Sequence, residues 1–360
     1  MSALTQDTPG AVTTSGDGAA GYGLARYLVI RFLLIIPTVL VLVSLVFFLM
    51  RATGDPISAA FGDRLTPDQL QAKLHQAGYD RPLFTQYLDY LKSLVTGDFG
   101  HTVTDNQPVT HVLGTYGAAT VELAFYALAV ALIVGVPLGM AAASYRDRAP
   151  DAALRLFAIL TYATPVFFVG LLLKLVFAIQ FGWLPASGRA STDVQLFLQN
   201  QTSTTGLYLV DALRSGSGAA VADVLKHAVL PGLALGLLVA GILLRLVRTN
   251  LIGTLNSDYV EAARSRGVAP FRLVTRHATR PALIPVVTVL GLQVAGLLGG
   301  AVLTETTFEW KGLGFELAHY LTVRDFPAVQ GIVVLFAVVV AVTNFLVDVI
   351  AALIDPRVRY

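Results

Sequence analysis

Of 360 residues, 25 are Lys or Arg and 23 are Asp or Glu, so 13% are charged, against roughly 25% in a soluble domain. Hydrophobic residues reach 55% and the mean hydropathy is +0.68, which excludes an ordinary soluble enzyme and extended disorder alike. Cysteine is absent, which removes disulfides, thiolate metal sites and a Cys nucleophile, and the net charge of +2 matters less than where the arginines cluster.

Residues 1–25 are rich in Gly, Ala, Ser and Thr and predict a disordered tail. The first apolar run does not read as a cleaved leader: no basic region precedes it in the first twenty residues, it is too long, and no Ala-x-Ala site follows. A membrane-crossing helix needs about 20 mostly apolar residues. Runs free of Asp, Glu, Lys and Arg cover 32–50, 123–145, 156–173, 227–244, 281–304 and 326–347, and the third continues past Lys174 to Trp183. The predicted fold class is all-α, a polytopic membrane protein of six transmembrane helices. The first helix is placed at 26–50, a five-helix core at 118–355 and a short tail at 356–360. Pro37, Pro137, Pro165, Pro231 and Pro285 fall within these runs, which bundles tolerate because neighbours re-satisfy the freed carbonyls. Gly291, Ala295, Gly296, Gly299 and Gly300 give the fifth run a small-residue face suited to bundle packing.

The connection 51–117 is predicted to be structured. Thr66-Pro67-Asp68-Gln69 reads as a capping box with proline at the first helical position, and Gly78 as the stop. A second helix starts near Pro82. Its Leu83, Phe84, Tyr87, Leu88, Leu91, Leu94 and Val95 share one face, and Gly97 ends it. That face either lies on the outer membrane surface or packs against the bundle, and packing is the plainer expectation. Lys and Arg are about 2.6 times denser in the loops 144–155, 245–280 and 348–360 than in 51–117, 183–227 and 305–325. The first set is therefore expected in the cytoplasm, with both termini inside.

The loop 245–280 carries seven arginines against Asp258 and Glu261. Asp258-Tyr259-Val260-Glu261 predicts a helix start with Glu261 reaching back to cap it, and Gly267 predicts a left-handed stop. Pro270 opens a second short helix, expected to end at Pro281. The small pair Ala262-Ala263 within a basic rim of Arg264 and Arg266 suits docking into a groove on another protein. A plain positive-inside loop accounts for the same residues equally well.

Glu261-Ala262-Ala263 with Gly267 resembles the EAA loop of ABC importer permeases. The resemblance runs from about Arg26 to Tyr360 and is nearest the B-type permease subunit of dipeptide and oligopeptide importers. It is carried by Gly54-Asp55-Pro56, Asp80-Arg81-Pro82-Leu83, Gly97-Asp98-Phe99-Gly100, Thr120-Val121-Glu122, Gly135-Val136-Pro137, Gly182-Trp183-Leu184-Pro185, Glu305, Gly312-Leu313-Gly314 and Asp355-Pro356-Arg357, in that order. Pro281 and Lys311 depart from the family pattern. The resemblance implies a type I ABC importer permease fold in the bacterial inner membrane and import of di- or oligopeptides by alternating access. It also implies a second homologous permease, one or two cytoplasmic ATPases, an extracytoplasmic substrate-binding protein and surrounding lipid, with no nucleic acid. By it, Asp258, Tyr259, Glu261, Ala262, Ala263, Arg264, Arg266 and Gly267 form the ATPase-coupling segment. Related permeases carry nickel complexes, glutathione or other small solutes, so the cargo stays open.

No lysine follows a glycine, so the chain has no phosphate-binding P-loop. ATP and Mg are expected in partner subunits, with no cofactor or metal on this chain and no enzymatic activity of its own. Ionisable groups near membrane depth are functional candidates by default: Glu122 at the outer start of the second span, Lys174 in the third, and Asp348 at the inner end of the sixth. At boundaries such as those of Glu122 and Asp348, however, hydration or pairing with Arg is cheap and a structural role is the plainer expectation, and the long stem of Lys174 can snorkel. Thr288, Gln293 and Thr304 are candidate pathway residues that could equally bond between helices. An ATP-independent secondary transporter would predict inverted repeats, which the sequence does not display.

Overall fold

The computed structural model describes residues 17–61, 65–76, 78–201 and 204–354. Among them the chain is almost wholly helical, with one isolated bridge between His101 and Pro108. Helix α1 spans Asp17–Ala52. Residues 17–25, expected in a disordered tail, are thus helical; Ala19, Ala20, Leu24 and Ala25 are strong helix formers that offset the glycines between them. The rest of that tail, residues 1–16, and the tail 356–360 lie outside the described residues.

Three short helices follow, α2 (Pro56–Phe61), α3 (Pro67–Gln76) and α4 (Leu83–Thr96). The capping box forms: Thr66 N–H donates to Gln69 Oε1 at 3.1 Å, and Gln69 N–H to Thr66 Oγ1 at 3.4 Å. Gly78 and Gly97 close α3 and α4 with φ of 72° and 75°. Only part of the apolar face of α4 packs on the bundle. Tyr87 and Tyr90 set their rings against Phe47 and Phe48 of α1, and Tyr87 Oη lies 2.6 Å from Ser44 Oγ. Burial there, and then Tyr87, raise the Tyr90 phenol above its ordinary pKa. Leu83, Phe84, Leu88 and Val95 are exposed. A single neighbouring helix cannot cover so wide an apolar arc, so the predicted face divides into a packed and an open edge.

The core comprises α5 (Val109–Ser144), α6 (Ala149–Ala163), α7 (Val166–Gln180), α8 (Thr192–Gln199), α9 (Tyr208–Arg214), α10 (Gly218–Leu255), α11 (Asp258–Ser265), α12 (Pro270–Phe308), α13 (Leu313–Thr322) and α14 (Phe326–Ile354). Among the described residues five helices, α1, α5, α10, α12 and α14, are long and apolar enough to cross a membrane. A sixth crossing exists only if α6 and α7 count as one, and they meet at 106°. The third span is therefore bent, where one continuous helix was expected. Pro165 cannot donate, and it holds Thr164 extended at φ −84° and ψ 129°.

Pro281 does the opposite of what the sequence predicts. The loop helix does not end there but runs on through α12. A π-helical stretch, Leu273–Ala278, lies just before the proline, and Thr279 Oγ1 donates to Val274 O at 2.7 Å. A second π-helical stretch, Ala131–Gly135, precedes Pro137 in α5. A widened turn leaves room for a ring that cannot take the usual i→i−4 bond.

Helix α10 is the centre. Its most apolar window is 61% buried, against 17% for α1 and 22% for α12. It packs against α5, α6, α7, α9 and α12, while α14 lies on α12 and α1 lies on α14. Missing side chains permit this closeness. A Cβ on Gly236 of α10 would sit 2.6 Å from Ala127 O of α5, and one on Gly135 of α5 would sit 2.8 Å from Ala240 O of α10. Leu123, Leu235, Val239, Leu243 and Trp310 complete the core between them.

Candidate functional site

The arginine-rich loop folds as a compact protrusion beyond α10. Ser257 does not cap α11; its hydroxyl donates back to Thr254 O at 2.6 Å. Nor does Glu261 cap it, contrary to expectation, because no side chain accepts from the first turn and the carboxylate points into solvent. The helix is held instead by packing. Val260, Ala263 and Leu273 are buried against Leu255 and Val268. Gly267 is left-handed at φ 78°, its N–H donates to Arg264 O at 2.9 Å, and Val268 N–H donates to Ala263 O at 3.3 Å.

The alanine pair splits its work: Ala263 faces inward and Ala262 outward. Asp258, Tyr259, Glu261, Arg264, Ser265 and Arg266 are exposed with Ala262, and Phe271 beside them is 80% exposed. Among the described residues no ion pair engages Arg264, Arg266, Arg272, Arg276 or Arg280. A cleft of about 700 Å³ separates this protrusion from the end of α5, lined by Met140, Tyr145, Gly267, Phe271 and Val274. The arrangement is a basic, partly aromatic knob anchored by apolar side chains.

The candidate pathway residues divide. Glu122 lies inside α5 rather than in its first turn and is 4% exposed. Its carboxylate accepts from Arg189 Nη2 at 2.6 Å and from Leu209 N–H at 2.7 Å, and Tyr126 Oη lies at 3.3 Å. Arg189 also donates to Gly206 O and lies 3.8 Å from the centroid of the Tyr208 ring. Glu122 thus ties α5 to the segment between α7 and α10. Lys174 Nζ donates to Thr307 O at 3.2 Å, joining α7 to α12. Thr304 is buried and returns its hydroxyl to Gly300 O. Asp348 meets Arg31 at 3.3 Å, linking α14 to α1. Thr288 and Gln293, half-buried on α12, are the two candidates with no side-chain hydrogen bond among the described residues.

Two polar clusters escaped the sequence reading. Glu305, fully buried, accepts from Thr120 Oγ1 at 2.7 Å and from Phe315 N–H at 2.9 Å, while Leu313 N–H donates to Thr120 Oγ1 at 2.8 Å. This locks α5, α12 and α13 at one end of the bundle. At the other end Asp151, also fully buried, takes Arg248 Nε at 2.6 Å and Nη2 at 2.7 Å, locking α6 to α10.

Two family descriptions match the chain. Binding-protein-dependent transport system inner membrane component covers residues 135–360, and the N-terminal part of such membrane components covers residues 24–115. The di/tripeptide transport system permease protein of Pseudomonas aeruginosa is 39% identical over 91% of this chain and 96% of its own length. The dipeptide transport system permease protein of Escherichia coli is 35% identical over 94% and 99%. The glutathione transport system permease protein of Salmonella choleraesuis is 32% identical over 94% and 100%.

Proposed function

Because the chain belongs to the binding-protein-dependent transport system inner membrane components, we propose that it is the permease subunit of an ATP-driven importer of di- and oligopeptides. It forms half of the pathway beside a second, homologous permease. A substrate-binding protein delivers cargo from outside, and one or two cytoplasmic ATPases hold the ATP and Mg. The knob around α11 is the observation that supports coupling. Tyr259, Glu261, Ala262, Arg264 and Arg266 face outward for an ATPase groove, while Val260 and Ala263 fasten the knob to the start of α12. Helix α12 then continues without a break to Glu305 and Phe308, so a displacement at the knob reaches the opposite end of the bundle. Thr288 and Gln293 lie along that helix and are the side chains we assign to the pathway. Glutathione is the second reading, favoured by the Salmonella relative.

The test is ATP-dependent accumulation in proteoliposomes containing this chain and its partner subunits. A labelled dipeptide should accumulate and glutathione should not. Accumulation of glutathione alone would select the second reading, and accumulation of neither would end the peptide assignment. Orientation is checked separately, helped by the absence of cysteine. Gln71→Cys on α3 and Ser265→Cys on α11 are both at exposed positions. An impermeant thiol reagent added outside cells should label the first and spare the second until the membrane is opened. The reverse pattern would invert the topology.

A further inference from the structure

A second cavity, of about 400 Å³, lies between α6 and α10 beside the Asp151–Arg248 lock. One wall is apolar, with Ala158, Ile159, Tyr162 and Ile242; the other end carries Arg155, Arg245 and Arg248. Gly241 brings the two backbones together, since a Cβ there would sit 2.9 Å from Ala158 O, and this closes the floor. Ile159 and Tyr162 stay exposed at 62% and 60%. The charge at the basic end is uneven. Asp151 is the acidic partner, and it is already held by two nitrogens of Arg248, Nε and Nη2. Arg155 reaches it only at 3.8 Å, and Arg245 has no side-chain partner among the described residues. Three guanidinium groups therefore share one carboxylate beside an open hydrocarbon-lined cleft.

We infer that this groove binds one anionic phospholipid, its acyl chain along Ile159 and Tyr162 and its phosphate between Arg155 and Arg245. A guanidinium at membrane depth is costly unless paired, and a lipid phosphate supplies the missing anion where the stems can reach the interface. Basic pockets between spanning helices suit anionic head groups for this reason. A nucleotide or a free phosphate would leave the apolar wall uncovered. The inference does not depend on what the chain transports.

Because the chain has no cysteine, Ile159→Cys can be labelled with a benzophenone maleimide in the full chain, kept in its own membrane with its arginines intact. Irradiation should yield a phospholipid adduct with an anionic head group. Lipid extracted from the purified assembly should be enriched in phosphatidylglycerol or cardiolipin relative to the bulk membrane. Arg155→Gln with Arg245→Gln should abolish that enrichment. A polypeptide adduct, a zwitterionic-lipid adduct, no adduct, or undiminished enrichment in the double variant would each overturn the assignment. Should the double variant fail to assemble, the head group of the adduct at position 159 decides alone.

Discussion

Replacing Gly267 by valine should abolish uptake while leaving the chain inserted and assembled. A Cβ at this position would meet nothing within 4 Å, so crowding is not the cause. The cause is the backbone: φ is 78°, a region that a β-branched residue enters only with strain of about 1–3 kcal/mol. The chain would relieve that strain by leaving the left-handed turn. The bonds from Gly267 N–H and Val268 N–H to the end of α11 would then break, and the knob would come away from Leu273. Gly267→Asn should retain most activity, because asparagine tolerates this conformation. Uptake and substrate-stimulated ATP hydrolysis, measured on the purified assembly for both variants, separate the cases. Full activity of Gly267→Val would remove the coupling role. Glu261→Lys makes a companion test of a different kind. Since the carboxylate caps nothing, the variant should keep the stability of the knob and lose ATPase association through charge alone.

The second large effect is expected at Arg189. Glu122 and Arg189 have side chains only 4% and 9% exposed, so neither charge can be rescued by water. Arg189→Ala would strand the carboxylate and leave the Gly206 carbonyl without its donor. Breaking a buried pair from one side costs about 3–5 kcal/mol. Thermal unfolding of the purified chain should shift strongly downward. Glu122→Gln with Arg189→Met should recover much of the loss, because a neutral amide can still accept from Leu209 N–H. An unshifted unfolding temperature for Arg189→Ala would show that the pair is not enclosed as described.

The sequence made much of this legible, for local reasons. The capping box at Thr66–Gln69 and the stops at Gly78, Gly97 and Gly267 are governed by neighbours within four residues, and all four form. Apart from the third, the long apolar runs lie within single helices to within a residue, because spanning length is a property of composition. Proline was the weak point. Pro165 bends its span through 106° and Pro281 interrupts nothing, and the difference lies in the turn before each ring. Thr164 is extended, whereas 273–278 widens into a π-helix, and neither state has a marker in residue type. The buried pairs were invisible for another reason. Glu122 and Arg189 are 67 positions apart, Thr120 and Glu305 are 185 apart, and no periodicity connects such partners. In the sequence Glu305 and Thr120 stand out only as parts of a family pattern, without a role.

The elbow between α6 and α7 also bears on how the protein is made. Each arm has 15 residues, about 22 Å of helix, against a hydrocarbon thickness of about 30 Å. Neither arm alone is long enough to span that thickness. The support that both arms share is α10, which packs on α6 through Asp151–Arg248 and on α7 directly, and which is synthesised after them. Until α10 emerges, Asp151 has only the Asp147 N–H at 3.0 Å and Arg155 at 3.8 Å, and lacks its two-toothed partner Arg248. The elbow is therefore completed by a later part of the chain: its lock through Asp151 and Arg248 can form only once α10 has been made.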